Sequence, residues 1–227
     1  MTPTILVATR SRHKLEELRT LLHLPDRTLT TLDDLGIEAE AVEDARTFRG
    51  NAILKARYYA GMAGLPTLAD DSGLEVDALD GEPGVRTRRY AGEHATDDEN
   101  NAKLLGALQG VAPERRTAHY VCVLAYLDPT DAHGGRKGRR RFVVTRSGRF
   151  HGRIALGLRG ENGFGYDPLF EPATEPIGGR TVGQLSAEEK NRVSHRAIAA
   201  RAMARYLREH ADGAHSNRHR ATEVTPV

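Results

Sequence analysis

Leu68-Ala69-Asp70-Asp71-Ser72-Gly73-Leu74 is the stretch around which this 227-residue chain is organised. Two adjacent carboxylates end a short apolar run, Thr67-Leu68-Ala69, and a Ser-Gly pair leads into a second run. Successive side chains of an extended segment point to opposite faces. One aspartate therefore follows the core-facing direction, and the other projects into a cleft or solvent. Two acids at a strand end repel each other and resist desolvation unless a cation joins them or one keeps its proton. Taken alone, Asp-Asp-Ser-Gly reads as a solvated turn. Its company elsewhere in the chain is what favours chemistry.

Working outward, the length fits one large domain, or one domain with two lobes, and is enough to bury a real core. Hydrophobic residues make up 39% and charged residues 28%, ordinary for a soluble globular protein. With 33 basic against 31 acidic residues, no overall field argues for nucleic acid. The single cysteine, Cys122, allows no intrachain disulfide and suits a reducing compartment. No signal-peptide pattern precedes the first strand, and no apolar run approaches the roughly 18 residues that span a bilayer. The expectation is a soluble, cytoplasmic protein.

Upstream, residues 4–9 (Thr-Ile-Leu-Val-Ala-Thr) read as a buried strand. Arg10-Ser11-Arg12-His13-Lys14 follows, and Leu15, Leu18, Leu21 and Leu22 then recur at helical spacing, with Ser11 a plausible N-cap. Three cations at a helix start conflict with the helix dipole unless an anion binds there. Backbone N–H groups and Lys14 would hold a phosphate. An acid-rich connection containing Glu43 precedes a helix that Thr47 caps and Gly64 and Pro66 end; its small apolar face is Ala52, Ala56, Tyr59, Ala60 and Ala63. Asn51 in its first turn is either a capping residue or part of a site.

Downstream, Leu74–Leu79 reads as a strand, 80–84 as a turn and 85–92 as a basic loop. Thr96-Asp97 starts a helix to about Gln109. Residues 117–127 are the longest strand candidate, and Arg136–Arg141 is read as a solvated loop tip. Phe142–Ser147 and Gly152–Leu158 are two further strand candidates. In Gly163-Phe164-Gly165-Tyr166-Asp167-Pro168 the glycines leave the Phe164 ring uncovered for a flat ligand, and Asp167 can accept a base N–H. The alternative is a Gly-rich turn with Phe164 in the core. Ser186-Ala-Glu-Glu189 fits a capping box. Ser194 offers a second cap, so the segment is either one bent helix or a turn followed by a helix, and the broken form would let Lys190, His195 and Arg196 meet one ligand. From 209 the chain turns polar without periodicity and is read as a disordered tail, leaving 1–208 as one domain. The sequence contains no phosphate-binding P-loop, dinucleotide-binding glycine pattern or nucleophile elbow.

Five segments in this order, Ala8-Thr9-x4-Lys14, Thr47-Phe48-x2-Asn51-Ala-x2-Lys55, Ala69–Leu74, Gly163–Phe170 and Glu189-Lys190-x3-Ser194-His195-Arg196, resemble the HAM1/RdgB family, the inosine/xanthosine triphosphate pyrophosphatases. The resemblance spans residues 4–208. It implies an α/β fold with a long mixed β-sheet flanked by helices, two lobes with a cleft between them, and a homodimer. It implies Mg²⁺-dependent hydrolysis of ITP, dITP and XTP to the monophosphate and pyrophosphate. Carried over by motif, Thr9, Arg10, Ser11, Arg12, His13 and Lys14 would hold the triphosphate, and Ser72 would touch substrate. Asp71 would accept the proton of the attacking water or bind metal, with Glu43 and Asp70 beside it on the metal. Phe164, Gly165, Tyr166, Asp167, Lys190, His195 and Arg196 would hold the base. Donors from His195 and Arg196 would suit a 6-keto oxygen and leave adenine's 6-amino group facing an unpaired donor. The family usually has Asn at the position of Ser11 and often Glu at that of Gly50, so position 50 is left out of the site. Two other readings are a pyrophosphatase for other modified or standard nucleotides, and a nucleic-acid-binding module using Arg86, Arg88, Arg89 and the 136–141 loop. Salt would weaken the binding module steeply, whereas a chelator would silence the enzyme.

Overall fold

The structure, a computed structural model, describes residues 2–130 and 142–219, with side chains up to His210. The strands form a mixed sheet in the order β2-β1-β3-β4-β5-β6. Strand β1 (Thr4–Ala8) pairs in parallel with both β2 (Thr28–Thr31) and β3 (Thr67–Val76). From β3 onward the sheet is antiparallel, through β4 (Thr117–Leu127), β5 (Val144–Ile154) and the short β6 (Phe170–Pro172).

Helices cover both faces of the parallel end. On one face α1 (Arg12–Leu22) and α5 (His195–His219) pack Leu18, Leu22, Ala199, Ala200 and Met203 against Ile5, Val7, Leu68, Cys122 and Leu124. On the other, α2 (Phe48–Ala63) packs Phe48, Ala52, Ala56 and Ala60 against Leu6, Ala8, Ala69, Val121 and Val123. The small residues of α2 let its axis lie close to the strands. A separate core gathers where β3 and β4 extend beyond β1. It joins Leu74, Val76 and Tyr120 to Leu104 and Leu108 around α3 (Asp97–Ala107), and to Tyr166, Leu169 and Phe170. The two regions of core flank the cleft, in line with the expected lobes.

The expected caps form: Ser11 accepts from Lys14 N, Thr47 from Gly50 N, and Thr96 and Ser186 each complete a capping box, with Glu99 and Glu189. Gly50 thus stands where a glutamate would complete the box of α2, and a Cβ there would crowd Ala45 and Thr47. Helix α4 (Ala187–Val193) ends at extended Ser194, whose hydroxyl then accepts from Ala197 N to start α5. The break reads as the sequence suggests.

Four expectations change. Asp-Asp-Ser-Gly is not a turn: β3 runs straight through it, each residue in register with β4 from Thr67↔Leu127 to Val76↔Ala118. The strand then ends at Val76 in a 3₁₀ turn, Asp77–Leu79, short of the expected Leu79. The two strands expected at 142–147 and 152–158 merge into one, β5, which ends at Ile154, so 155–158 are not strand. Its glycines are not breaks: a Cβ on Gly148 would collide with the His195 carbonyl, and one on Gly152 with that of Glu171. Strand β2 was hidden because Thr-Leu-Thr-Thr has no apolar run. Helix α5 continues to His219, past the expected start of the tail; residues 220–227 and the Arg136–Arg141 loop lie outside the described residues.

Since Gly148 sets how closely α5 lies on the sheet, Gly148→Ala should lower stability by about 1–3 kcal/mol in urea unfolding. Gly157→Ala, where a Cβ meets nothing within 4 Å, should stay within about 0.5 kcal/mol of wild type.

Candidate active site

The cleft has a volume of about 470 Å³ and is floored by Asp70 to Gly73. The turn Thr9–Lys14, the loop bearing Glu43, the 3₁₀ segment Gly84–Arg89, the Phe164 loop and the break between α4 and α5 wall it. Both aspartates are buried, so neither projects into solvent. Alternation along β3 sends them to opposite faces of the sheet, and each meets its own cations.

On the α1/α5 face, Asp70 Oδ1 accepts from Lys14 Nζ at 2.5 Å and from Ser72 Oγ at 3.0 Å. Its Oδ2 accepts from Arg196 Nε at 3.2 Å and lies 3.2 Å from Cys122 Sγ. Arg196 also donates to Ser72 Oγ at 2.9 Å and to Glu17, and Glu17 in turn takes Lys190 Nζ at 2.8 Å. Lys190 reaches Asp167 Oδ2 at 2.8 Å, and Tyr120 donates to Asp167 Oδ1 at 3.2 Å. Three carboxylates and three cations therefore balance in one buried chain. Burial alone would raise the Asp70 pKa, but Lys14 and Arg196 outweigh it and hold the carboxyl well below the usual range. Glu17 is depressed by the same contest, burial against Arg196 and Lys190. Sequence reasoning missed Glu17; its place one turn after Lys14 on the same helical face was the available signal.

On the α2 face, Lys55 Nζ bridges Asp71 Oδ1 at 2.9 Å and Glu43 Oε2 at 2.8 Å. Two carboxylates against one cation leave a negative excess. The other Asp71 oxygen, Oδ2, is buried with no hydrogen-bond partner among the described residues. Burial raises the Asp71 pKa, Lys55 opposes this, and Glu43 adds like-charge repulsion; the net shift is upward. Lys55 is held protonated by Asp71 and Glu43 against its own burial. No group of three or more His, Cys, Asp or Glu side chains able to hold a metal occurs among the described residues. The expected set of Asp70, Asp71 and Glu43 on one ion therefore does not assemble, because Asp70 faces away and its oxygens are engaged. Asp71 Oδ2 and Glu43 remain, and a hard cation that keeps waters and takes phosphate oxygens fits such a sparse oxygen set.

At the far end, Phe164 stacks on His13 with centroids 5.2 Å apart, and Lys190 Nζ lies 4.6 Å from the Phe164 centroid. Its ring is in the cleft, not the core. Asp167 Oδ2 accepts from Phe164 N at 3.0 Å, and a Cβ on Gly163 (φ +79°) would collide with that oxygen. Asp167 thus shapes the loop and holds Lys190, with its oxygens already engaged by protein donors. Tyr166 is a core residue whose hydroxyl donates to Thr87 O at 2.8 Å, and Gly165 is fastened to Asp97 and Asn101 of α3. His195 is buried and stacks on Tyr120 at 4.7 Å; its Nδ1 has no partner among the described residues. Burial, with Arg196 and Lys190 nearby, pushes its pKa well below the usual value, so the ring is neutral. Arg88 and Arg89 reach the cleft wall, a placement the sequence reading assigned only to nucleic acid.

A family model described as the Ham1 family matches residues 5–206. A Geobacter sulfurreducens protein named dITP/XTP pyrophosphatase is 47% identical over 195 residues, covering 86% of this chain and 92% of its own. A Yersinia pseudotuberculosis protein of the same name is 44% identical, over 90% of this chain and 98% of its own. Among solved structures, a HAM1 protein from Coxiella burnetii superposes with a TM-score of 0.78 at 36% identity, covering 91% of this chain and 99% of its own. Motif order, sheet topology and these matches across nearly the whole chain agree, and the protein belongs to the Ham1 family.

Proposed function

We propose that this chain hydrolyses the deaminated purine nucleoside triphosphates ITP, dITP and XTP, releasing the nucleoside monophosphate and pyrophosphate. The observation that carries the reading is the division of charge in the cleft. A balanced ionic chain braces one side, while the pair Asp71/Glu43, with its negative excess and unpartnered Oδ2, lies on the other. Support also comes from the relatives named dITP/XTP pyrophosphatase.

In this reading the triphosphate lies along the α1 N-terminus, where backbone N–H groups and Lys14 meet its charge. Mg²⁺ would be held by Asp71 and Glu43, with Asp70 outside the set; when bound, it supplies charge neutralisation on the phosphates and acidifies water. Asp71 takes the proton of the water that attacks the α-phosphorus, and pyrophosphate leaves. Burial raises its pKa in the metal-free cleft, and Lys55 together with a bound cation would keep it ionised, the form that accepts a proton. The base stacks at Phe164, and neutral His195 offers the 6-keto oxygen its ring N–H. Adenine, with a 6-amino group there, leaves that donor unpaired. A homodimer in the cytoplasm belongs to the same proposal. Exposed Leu156, Leu158 and Ile177 at one rim support a protein contact, and among the described residues no helix is long and apolar enough to cross a membrane.

Pyrophosphate release from ITP, XTP and ATP is expected to require Mg²⁺, to stop with chelator and to fall by about 10²-fold or more in Asp71→Asn. Turnover of ITP unaffected by either change would overturn the assignment. Protonation of Asp71 removes the base, so kcat/KM should decline as pH falls through its pKa, and because a bound cation favours the ionised carboxylate the decline should move to higher pH as Mg²⁺ is lowered. An acid limb that stays at the same pH whatever the Mg²⁺ concentration would contradict this. His195→Ala should cut the preference for ITP over ATP by about tenfold or more, read as the ratio of kcat/KM values.

A further inference from the structure

The loop carrying Glu43 has no regular secondary structure of its own, yet it is fastened residue by residue. Along one stripe of α2, at intervals of four, Asn51 Oδ1 accepts from Ala45 N at 2.9 Å, Lys55 holds Glu43, and Tyr59 takes the chain one step further. The Tyr59 hydroxyl accepts from Ala41 N at 3.3 Å and donates to Ala39 O at 3.4 Å. The loop therefore runs antiparallel to α2, about two residues for each helical turn. This ladder stops at residue 39.

Arg10 takes over there. Its NH2 group donates to Ile37 O at 2.7 Å and to Ala39 O at 3.4 Å, while NH1 donates to Asp33 Oδ1 at 3.3 Å. Its Nε also lies 3.9 Å from Glu40. The guanidinium thus faces the loop, although Arg10 sits in the basic turn where the family resemblance would make it a triphosphate ligand. Arg10 lines the cleft as its neighbours do, but their side chains are engaged elsewhere: Lys14 turns onto Asp70, and His13 stacks on Phe164.

We propose that Arg10 is a positioning residue that ties the phosphate-binding turn to the Glu43 loop, and not a phosphate ligand. The inference rests on the reading above that Glu43 serves the site. The planar fork matters, because two carbonyls and a carboxylate are met from one group, which a single ammonium cannot span. Closing the far end of the loop this way fixes where the Glu43 carboxylate stands relative to Asp71.

The test compares full-length wild type, Arg10→Ala and Arg10→Lys in three measurements. Amide hydrogen exchange over 37–45, in protein free of nucleotide and metal, should speed up about tenfold in both variants. Inhibition by tripolyphosphate, a base-free probe of the phosphate site, should stay within about twofold of wild type, while the Mg²⁺ needed for half-maximal pyrophosphate release rises about tenfold. Unchanged exchange with tripolyphosphate inhibition weakened tenfold would make Arg10 a phosphate ligand and overturn the proposal. Full recovery in Arg10→Lys would overturn the argument from the fork. Wild type that turns over ITP without any divalent cation would overturn the metal reading instead, and the exchange measurement would still decide the role of Arg10.

Discussion

A carboxylate taken wholly out of water is tolerable only beside positive charge, and Asp70 is such a carboxylate in the middle of the central strand. Lys14 of α1 and Arg196 of α5 neutralise it, so the two helices on that face are located by charge as well as by their leucines and alanines. Because side chains alternate along a strand, the next residue faces the other way, and Asp71 must find its own cation, Lys55 of α2. One dipeptide thereby dictates the contents of both faces of the sheet. The outcomes differ: one network is balanced, and the other is short of a cation.

Glycine shows how the same residue type serves several physical ends. At Gly148 it lets the start of α5 rest on β5, which brings His195 and Arg196 down to the cleft floor. At Gly163 it makes room for the Asp167 carboxylate, which turns the Phe164 loop and holds Lys190 at once. Neither glycine lines the cleft, yet each sets where groups that do line it stand.

Much of this was legible in the sequence. The first strand, read as 4–9 and observed as Thr4–Ala8, the caps at Ser11, Thr47, Thr96 and Ser186, and a break at Ser194 as one of two alternatives follow from local spacing and capping chemistry, which act over a few residues. The motif segments that mark the cleft were also visible, though not the division of labour within them. Asp70 and Asp167 looked like ligand-facing acids because sequence gives residue type without partners; only the fold reveals that Lys14, Arg196 and Lys190 already engage them. Glu17 and Lys55 went unassigned for the converse reason, since a helical Glu or Lys is ordinarily solvated. The glycines of β3 and β5 misled because a glycine that admits a close neighbour and one that breaks a strand are written alike.

The ion pair between Asp70 and Arg196 joins residues 126 apart, and Lys190 comes from the same late segment. A chain still emerging from the ribosome can form β1, β3 and β4 from contacts already synthesised. It then holds Asp70, Glu17 and Asp167 against Lys14 alone, until α4 and α5 deliver the remaining two cations. Such a network cannot close early, and loop-closure entropy further delays so distant a pairing. The charge balance therefore closes only with the C-terminal segment in place: without it Asp70 keeps Lys14, while Glu17 and Asp167 lose the cations that pair with them.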